Sequence, residues 1–176
     1  MKIDKTDIDG LMVIWPDVFI DGRGYFYESY NSNKYSGAIE TNFVQDNVSK
    51  SIKGTIRGLH FQTGKFAQGK LCQVIMGEVF DVAVDIRKKS PTFGKHYSIV
   101  LSEENHIQLW IPPGFAHGFS VLSEAAIFHY KCTNFYSKEH ERTILYNDPA
   151  LGINWKVKKP NISEKDLKGQ KLAEMF

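Results

Sequence analysis

The chain has 176 residues, 42% hydrophobic and 13% aromatic, with 22 Lys and Arg against 20 Asp and Glu and a formal charge of +2. That length suits one domain spanning residues 1–176, large enough to bury a core without disulfide or metal staples. The near-balance of charge gives no case for a nucleic-acid partner, two cysteines make no disulfide framework, and no apolar run reaches the ~18 residues of a membrane span.

The opening segment carries Lys2, Asp4, Lys5, Asp7 and Asp9, which the apolar stretch of a signal peptide does not tolerate, so a cytoplasmic location is expected. A first strand is predicted over Arg23–Tyr30 and a short helical turn over Ser29–Ser36. Strands follow at Thr55–Gln62, Lys70–Met76 and Val79–Ile86. In the last, Phe80, Val82, Val84 and Ile86 share one face, and Val79, Asp81, Ala83 and Asp85 the other. If that second face turns inward, the two carboxylates need partners. Further strands are predicted at Tyr97–Leu101, Gln108–Ile111 and Ala125–Cys132. The last of these places Tyr130 with Ala126, Phe128 and Cys132 on a face pointing into a barrel. Gly64, Gly69, Gly77, Ser90-Pro91, Pro112-Pro113-Gly114 and Asp148-Pro149 punctuate the strands. Past Ser163, a capping box with Asp166 precedes Leu167, Leu172 and Met175 and predicts a short helix. Many short strands and few helices make the fold class all-β, an antiparallel sandwich or barrel.

Familiar nucleotide-binding and hydrolase motifs are missing. Gly22-Arg-Gly24 lacks the third glycine of a dinucleotide fingerprint, and the six histidines never fall as His-x-His, so neither a metal nor another cofactor is expected. Cys72 and Cys132 sit in strand-like apolar runs, where free cysteine behaves as a small buried hydrophobe. Four polar clusters stand out. Arg57-Gly-Leu-His60-Phe-Gln62 puts a guanidinium and an imidazole into a strand pattern. By strict alternation Arg57 and His60 face opposite ways, so a shared site requires a bulge or bend near Gly58. Tyr130 and the Asp81/Asp85 pair are the second and third. The fourth is a Pro/Gly-rich loop, Pro113-Gly-Phe-Ala-His117-Gly-Phe119, which reads equally as a turn with a surface histidine. Taken singly, His60 is most simply a hydrogen-bonded core histidine, Tyr130 core filling and Lys70 a solvent-facing lysine. Together, an imidazole base, a phenol and several cations suit abstraction of a proton beside a carbonyl.

Longer blocks carry a resemblance. Phe43-Val-Gln45-Asp46-Asn47-Val-Ser-Lys-Ser51, Arg57-Gly-Leu-His60-Phe-Gln62, Ala67-Gln-Gly-Lys70-Leu, Gly77-Glu-Val-Phe-Asp81-Val-Ala-Val-Asp85-Ile-Arg87 and Ile111-Pro-Pro-Gly-Phe-Ala-His117-Gly-Phe resemble the dTDP-4-dehydrorhamnose 3,5-epimerases. The likeness continues through Tyr130-Lys-Cys-Thr-Asn-Phe-Tyr136 and Asn147-Asp148-Pro-Ala-Leu-Gly-Ile-Asn-Trp155 to Ser163-Glu-Lys165-Asp166. It implies a cupin-like jelly-roll barrel of antiparallel strands, a metal-free homodimer, and inversion of two carbons in dTDP-4-keto-6-deoxy-D-glucose. On that resemblance His60 is the general base, Tyr130 the general acid, Asp166 the carboxylate that orients His60, and Lys70 the cation beside the C4 oxygen. Arg23, Glu28, Gln45, Asp46, Asn47, Arg57, His117, Glu141 and Lys165 match positions that hold the nucleotide and its diphosphate. Phe26 and Tyr136 match the aromatic contacts of thymine, although Tyr25 and Phe135 compete with them on local pattern. A single-centre epimerase or a ketoisomerase shares most of these residues. Proton exchange at C3 and C5 separates these; a sugar-binding cupin needs no acid–base pair and would bind without exchange, and a cupin oxygenase needs metal ligands and would carry near-stoichiometric iron or manganese.

Overall fold

The computed structural model describes residues 1–176. In chain order the strands are β1 (Lys2–Lys5), β2 (Met12–Trp15), β3 (Phe19–Asp21), β4 (Gly24–Phe26), β5 (Gln45–Ile52), β6 (Thr55–Gln62) and β7 (Lys70–Met76). They continue as β8 (Glu78–Asp85), β9 (His96–Ser102), β10 (Gln108–Ile111), β11 (Phe115–Val121), β12 (Ala125–Cys132), β13 (Glu141–Thr143) and β14 (Asn161–Ile162). Three short α-helices, α1 (Ser32–Tyr35), α2 (Glu164–Leu167) and α3 (Leu172–Met175), and a 3-10 turn at Gly64–Phe66 accompany them.

Two large sheets form the body. One runs β1-β2-β10-β7-β12-β5; the other runs β13-β6-β11-β8-β9, with β14 added to β6 in parallel. Their facing side chains make one shared core, with Val13, Val74, Leu109 and Phe128 from the first sheet against Val79, Leu101, Phe115 and Phe119 from the second. This is the antiparallel jelly roll of the all-β expectation. The second sheet is covered on its other face too, where Ile56, Leu59, Val82 and Val84 pack under Ile144, Leu151, Trp155 and Leu172 of the C-terminal segment. A smaller cluster of Ile14, Leu71, Trp110, Tyr35 and Ile39 closes the outer face of the first sheet.

The inward face of β8 behaves as its alternation predicts. Asp81 and Asp85 are both fully buried and both partnered. Asp85 accepts from Arg87, Ser90 and Thr92 at 2.6–2.8 Å, and Asp81 meets His117. Other elements differ from expectation. The strand predicted at Arg23–Tyr30 shrinks to one arm of the β3–β4 hairpin, whose Phe19, Ile20 and Phe26 lie exposed. His117 lies in no loop: Phe115–Val121 is a strand buried at every position, so no alternation marks it. Gln45–Ile52 is also a strand, although its inward positions are polar.

Candidate active site

Strand β6 carries the irregularity that its sequence requires. Against β11, His117 faces His60 and Phe119 faces Arg57, so three steps on β6 match two on its partner. The extra residue falls around Gly58, whose φ of +123° only glycine adopts readily. A β-carbon there would stand 2.5 Å from Gly118 Cα and 2.7 Å from the His117 carbonyl oxygen. The resulting bulge turns both Arg57 and His60 toward one cavity, as the sequence demanded of any shared site.

That cavity lies at one end of the jelly roll, between the two sheets. Its deep part, about 210 Å³, is lined by Ser49, Arg57, His60, Lys70, His117, Phe119, Phe128 and Tyr130. An adjoining outer part of about 230 Å³ shares His60, Lys70 and Tyr130 and adds Gln45, Asn47, Gln62, Tyr136 and Glu141.

His60 Nε2 lies 2.7 Å from Asp166 Oδ1, across 106 residues of sequence. Asp166 is 3% exposed, and its second oxygen accepts the Gly58 N–H at 3.3 Å. Burial pushes its carboxyl upward, but the His60 ring and the Gly58 amide outweigh it, and the group sits below the usual carboxylate range. The capping role is also real, since Ser163 Oγ accepts the Asp166 N–H at 3.1 Å and starts α2. The reciprocal half of a capping box is absent, because the carboxylate is engaged at His60. With Nε2–H donated to Asp166, Nδ1 presents its lone pair as a base.

Tyr130 shares the cavity wall with Lys70, whose Nζ lies 5.7 Å from the phenol ring centre and enters no ion pair. Burial pushes the Tyr130 phenol well above its ordinary value of 10.0, so the group stays protonated and able to donate. Its hydroxyl makes no hydrogen bond within the chain. The phenol is flanked by two thiols, Cys72 and Cys132, both free and fully buried. His117 forms the floor, with Nε2 2.9 Å from Asp81 Oδ2. Burial dominates and lowers its pKa despite the carboxylate, which leaves a neutral ring near neutral pH.

The outer part is a tied network. Gln45 accepts the Tyr136 N–H at 2.9 Å and donates to Asn47 at 3.1 Å. Glu141 accepts the Tyr136 hydroxyl at 2.9 Å and pairs with Lys165 at 2.6 Å. Tyr136 therefore faces the cavity, whereas Phe135 does not line it. Asp46 points to the opposite face of β5, where Lys131 holds it at 2.8 Å. Arg23 pairs with Asp21 on the exposed hairpin, Glu28 pairs with Lys34, and Phe26 stands beside them, all outside the cavity of their own chain. Ser49, Gln62 and Phe119 line the cavity without having been singled out. The period-two polar run Gln45, Asn47, Ser49, Ser51 was the available signal for Ser49. No three His, Cys, Asp or Glu side chains converge as metal ligands do.

A jelly roll holding an imidazole–carboxylate pair, a phenol and a lysine free of ion pairs around one cavity has the architecture of a cupin-like enzyme with groups suited to acid–base chemistry. Comparison with known proteins makes the assignment specific. A family profile described as dTDP-4-dehydrorhamnose 3,5-epimerase matches residues 5–174. The dTDP-4-dehydrorhamnose 3,5-epimerase of Shigella flexneri is 54% identical over 99% of this chain and 97% of its own. A dTDP-6-deoxy-D-glucose-3,5-epimerase from Legionella pneumophila, crystallised with dTDP-4-keto-L-rhamnose, superposes with a TM-score of 0.96 at 49% identity, over 99% of this chain and 94% of that one. A 3'-monoepimerase from Streptomyces bikiniensis, in complex with dTDP-quinovose, superposes at 0.90 with 29% identity, over 96% and 86%. The chain belongs to the dTDP-4-dehydrorhamnose 3,5-epimerase family, and it is an isomerase of the epimerase kind.

Proposed function

We propose that the cavity converts dTDP-4-keto-6-deoxy-D-glucose to dTDP-4-keto-L-rhamnose with His60 as base, Tyr130 as acid, Lys70 at the ketone oxygen and Asp166 behind the base. The C4 ketone acidifies the hydrogens on C3 and C5. His60 Nδ1 takes a proton from one of these carbons, and the electron pair moves to the C4 oxygen, where the Lys70 ammonium stabilises the enolate. Asp166 steadies the imidazolium. Tyr130 returns a proton from the opposite face, which inverts the centre, and exchange with solvent resets both groups before the second carbon reacts. The observation that carries this reading is the pair of unengaged groups, Nδ1 of an Asp-bound histidine and a partly buried phenol, on the walls of one cavity.

Gln45, Asn47, Tyr136, Glu141 and Lys165 receive the nucleotide and diphosphate at the mouth, and Arg57 reaches toward the diphosphate from the deep part. The burial of His117 beside Lys70 shifts its proposed place from the diphosphate to the sugar end. A homodimer belongs to the same reading. Strand β5 is an unpaired sheet edge; Val48 and Ile52 are exposed on its outward face, between Asp46 and Lys50, and Val44 is exposed just before it. A second copy of the chain covers them, and its hairpin brings Arg23, Phe26 and Glu28 to a cavity that they do not reach in their own chain. Two unbridged thiols fit the reducing cytoplasm.

The higher identity to 3,5-epimerases than to the monoepimerase favours action at both centres. The test is incubation with the 4-keto substrate in deuterated water, followed by NMR. Deuterium at both C3 and C5 of a rhamnose-configured product is expected. Label at one carbon assigns a single-centre enzyme, and no label with tight dTDP binding removes the catalytic reading.

A further inference from the structure

Strand β5 turns four polar side chains inward in alternation, Gln45, Asn47, Ser49 and Ser51. Gln45 is tied to the Tyr136 amide, Asn47 to Gln45 and to Cys132 Sγ at 3.5 Å, and Ser51 Oγ to Arg57 Nε at 2.9 Å. Ser49 alone has no partner: its hydroxyl is buried without a hydrogen bond, the sole such side-chain atom in the chain. A buried unpaired hydroxyl is costly and persists where something outside the fold completes it. Ser49 lines the deep cavity together with His60, Lys70 and Tyr130, and it pairs across the sheet with Phe128.

We infer that the Ser49 hydroxyl binds the C3 hydroxyl of the substrate hexose and sets the C3–H toward His60, making Ser49 a selector for the C3 half of the reaction. This rests on the epimerase reading above and deepens it. The sugar's C1 leads to the diphosphate and so faces the mouth, which leaves the C3–C4–C5 edge at the deep end. On that edge C4 carries the ketone oxygen, met by Lys70, and C5 carries the methyl group, which suits the Phe119 and Phe128 walls. C3 is the one position there with a hydroxyl to donate and accept. The contact changes no bond; it fixes how the ring sits while C3 loses and regains its proton.

The test compares wild type and Ser49→Ala in deuterated water with dTDP-4-keto-6-deoxy-D-glucose, following label at C3 and C5 separately. The variant is expected to exchange C3 about tenfold more slowly, the worth of one hydrogen bond, with C5 exchange within about twofold of wild type. Its melting temperature should hold or rise, since no protein contact is lost. Ser49→Thr, which keeps the hydroxyl, should restore part of the C3 rate. Equal slowing at both carbons, or no slowing, overturns the assignment. Failure of the wild type itself to exchange either carbon overturns the epimerase reading, and this inference with it.

Discussion

In the proposed reaction His60 and Tyr130 divide the two proton transfers between an imidazole and a phenol. Two features support that division: the imidazole has a carboxylate behind it to hold the cation it would become, and burial keeps the phenol neutral. The consequence for Tyr130→Phe follows from the faces involved. Without the phenol, His60 still removes a proton and can return solvent deuterium to the face it came from. The variant is therefore expected to incorporate deuterium with retention while net inversion falls by about 10²–10⁴-fold. Chiral analysis of the labelled sugar checks this, and inversion at the normal rate would show that another group is the acid. His117 and Asp81 form a second imidazole–carboxylate pair below, but full burial and a lowered pKa make that ring a neutral floor and not a second base.

At the scale of elements, the bulge in β6 holds the site together. Gly58→Ala would combine a positive φ with a methyl group driven into Gly118, and a loss on the order of 3 kcal/mol is expected. Chemical denaturation measures it, and a stable, active variant would mean that β6 can reach the cavity without this backbone. The need for the bulge was legible beforehand, because Arg57 and His60 disagree in parity. Strands β8 and β12 were legible too, because their inward faces alternate with their outward ones. Two others were not, for opposite reasons. Strand β11 is covered on both faces, so Phe115–Val121 shows no alternation and its glycine and flanking prolines read as a loop. Strand β5 alternates, but with polar residues inward and Val48 and Ile52 outward, since its inner face lines a cavity and its outer face is an edge awaiting cover. Sequence also brought Asp166 to His60 only by resemblance; their meeting depends on the C-terminal segment crossing β6, which no local pattern encodes. Arg23 and Phe26 of the hairpin, and Glu28 just after it, had no local pattern to place them either.

For the molecule as a whole, the unpaired edge of β5, with Val48 and Ile52 exposed between Asp46 and Lys50 on its outward face, argues for pairing. Val48→Asp removes an exposed apolar side chain there and sets a second carboxylate beside Asp46; on the proposed dimer, light scattering should show a shift to monomer, with nucleotide affinity reduced because the partner's hairpin would no longer reach the cavity. A variant that stays dimeric would move the interface elsewhere. Stability against pH has two limbs. His117 has a folded pKa below its ordinary 6.5, so stability is complete above 6.5 and falls as pH drops through the folded value. Asp85, with burial opposed by the stronger pull of Arg87, Ser90 and Thr92, and Asp166 extend the loss below the ordinary carboxylate value of 3.8. Tyr35 is raised by burial to about 12, so its contribution is intact below 10.0 and disappears as pH rises through about 12. Thermal melts should therefore show a plateau between about 6.5 and 10. A Tm still rising toward pH 5 would contradict the buried neutral His117. The two thiols beside Tyr130 have a practical use. Both are sealed and protonated in the closed fold, with burial raising each above its ordinary 9.0, so a disulfide reagent can reach them only when strands β7 and β12 part. The rate at which such a reagent colours is then a clock on how often this wall of the candidate cavity breathes, read from the native side chains without a probe attached beforehand.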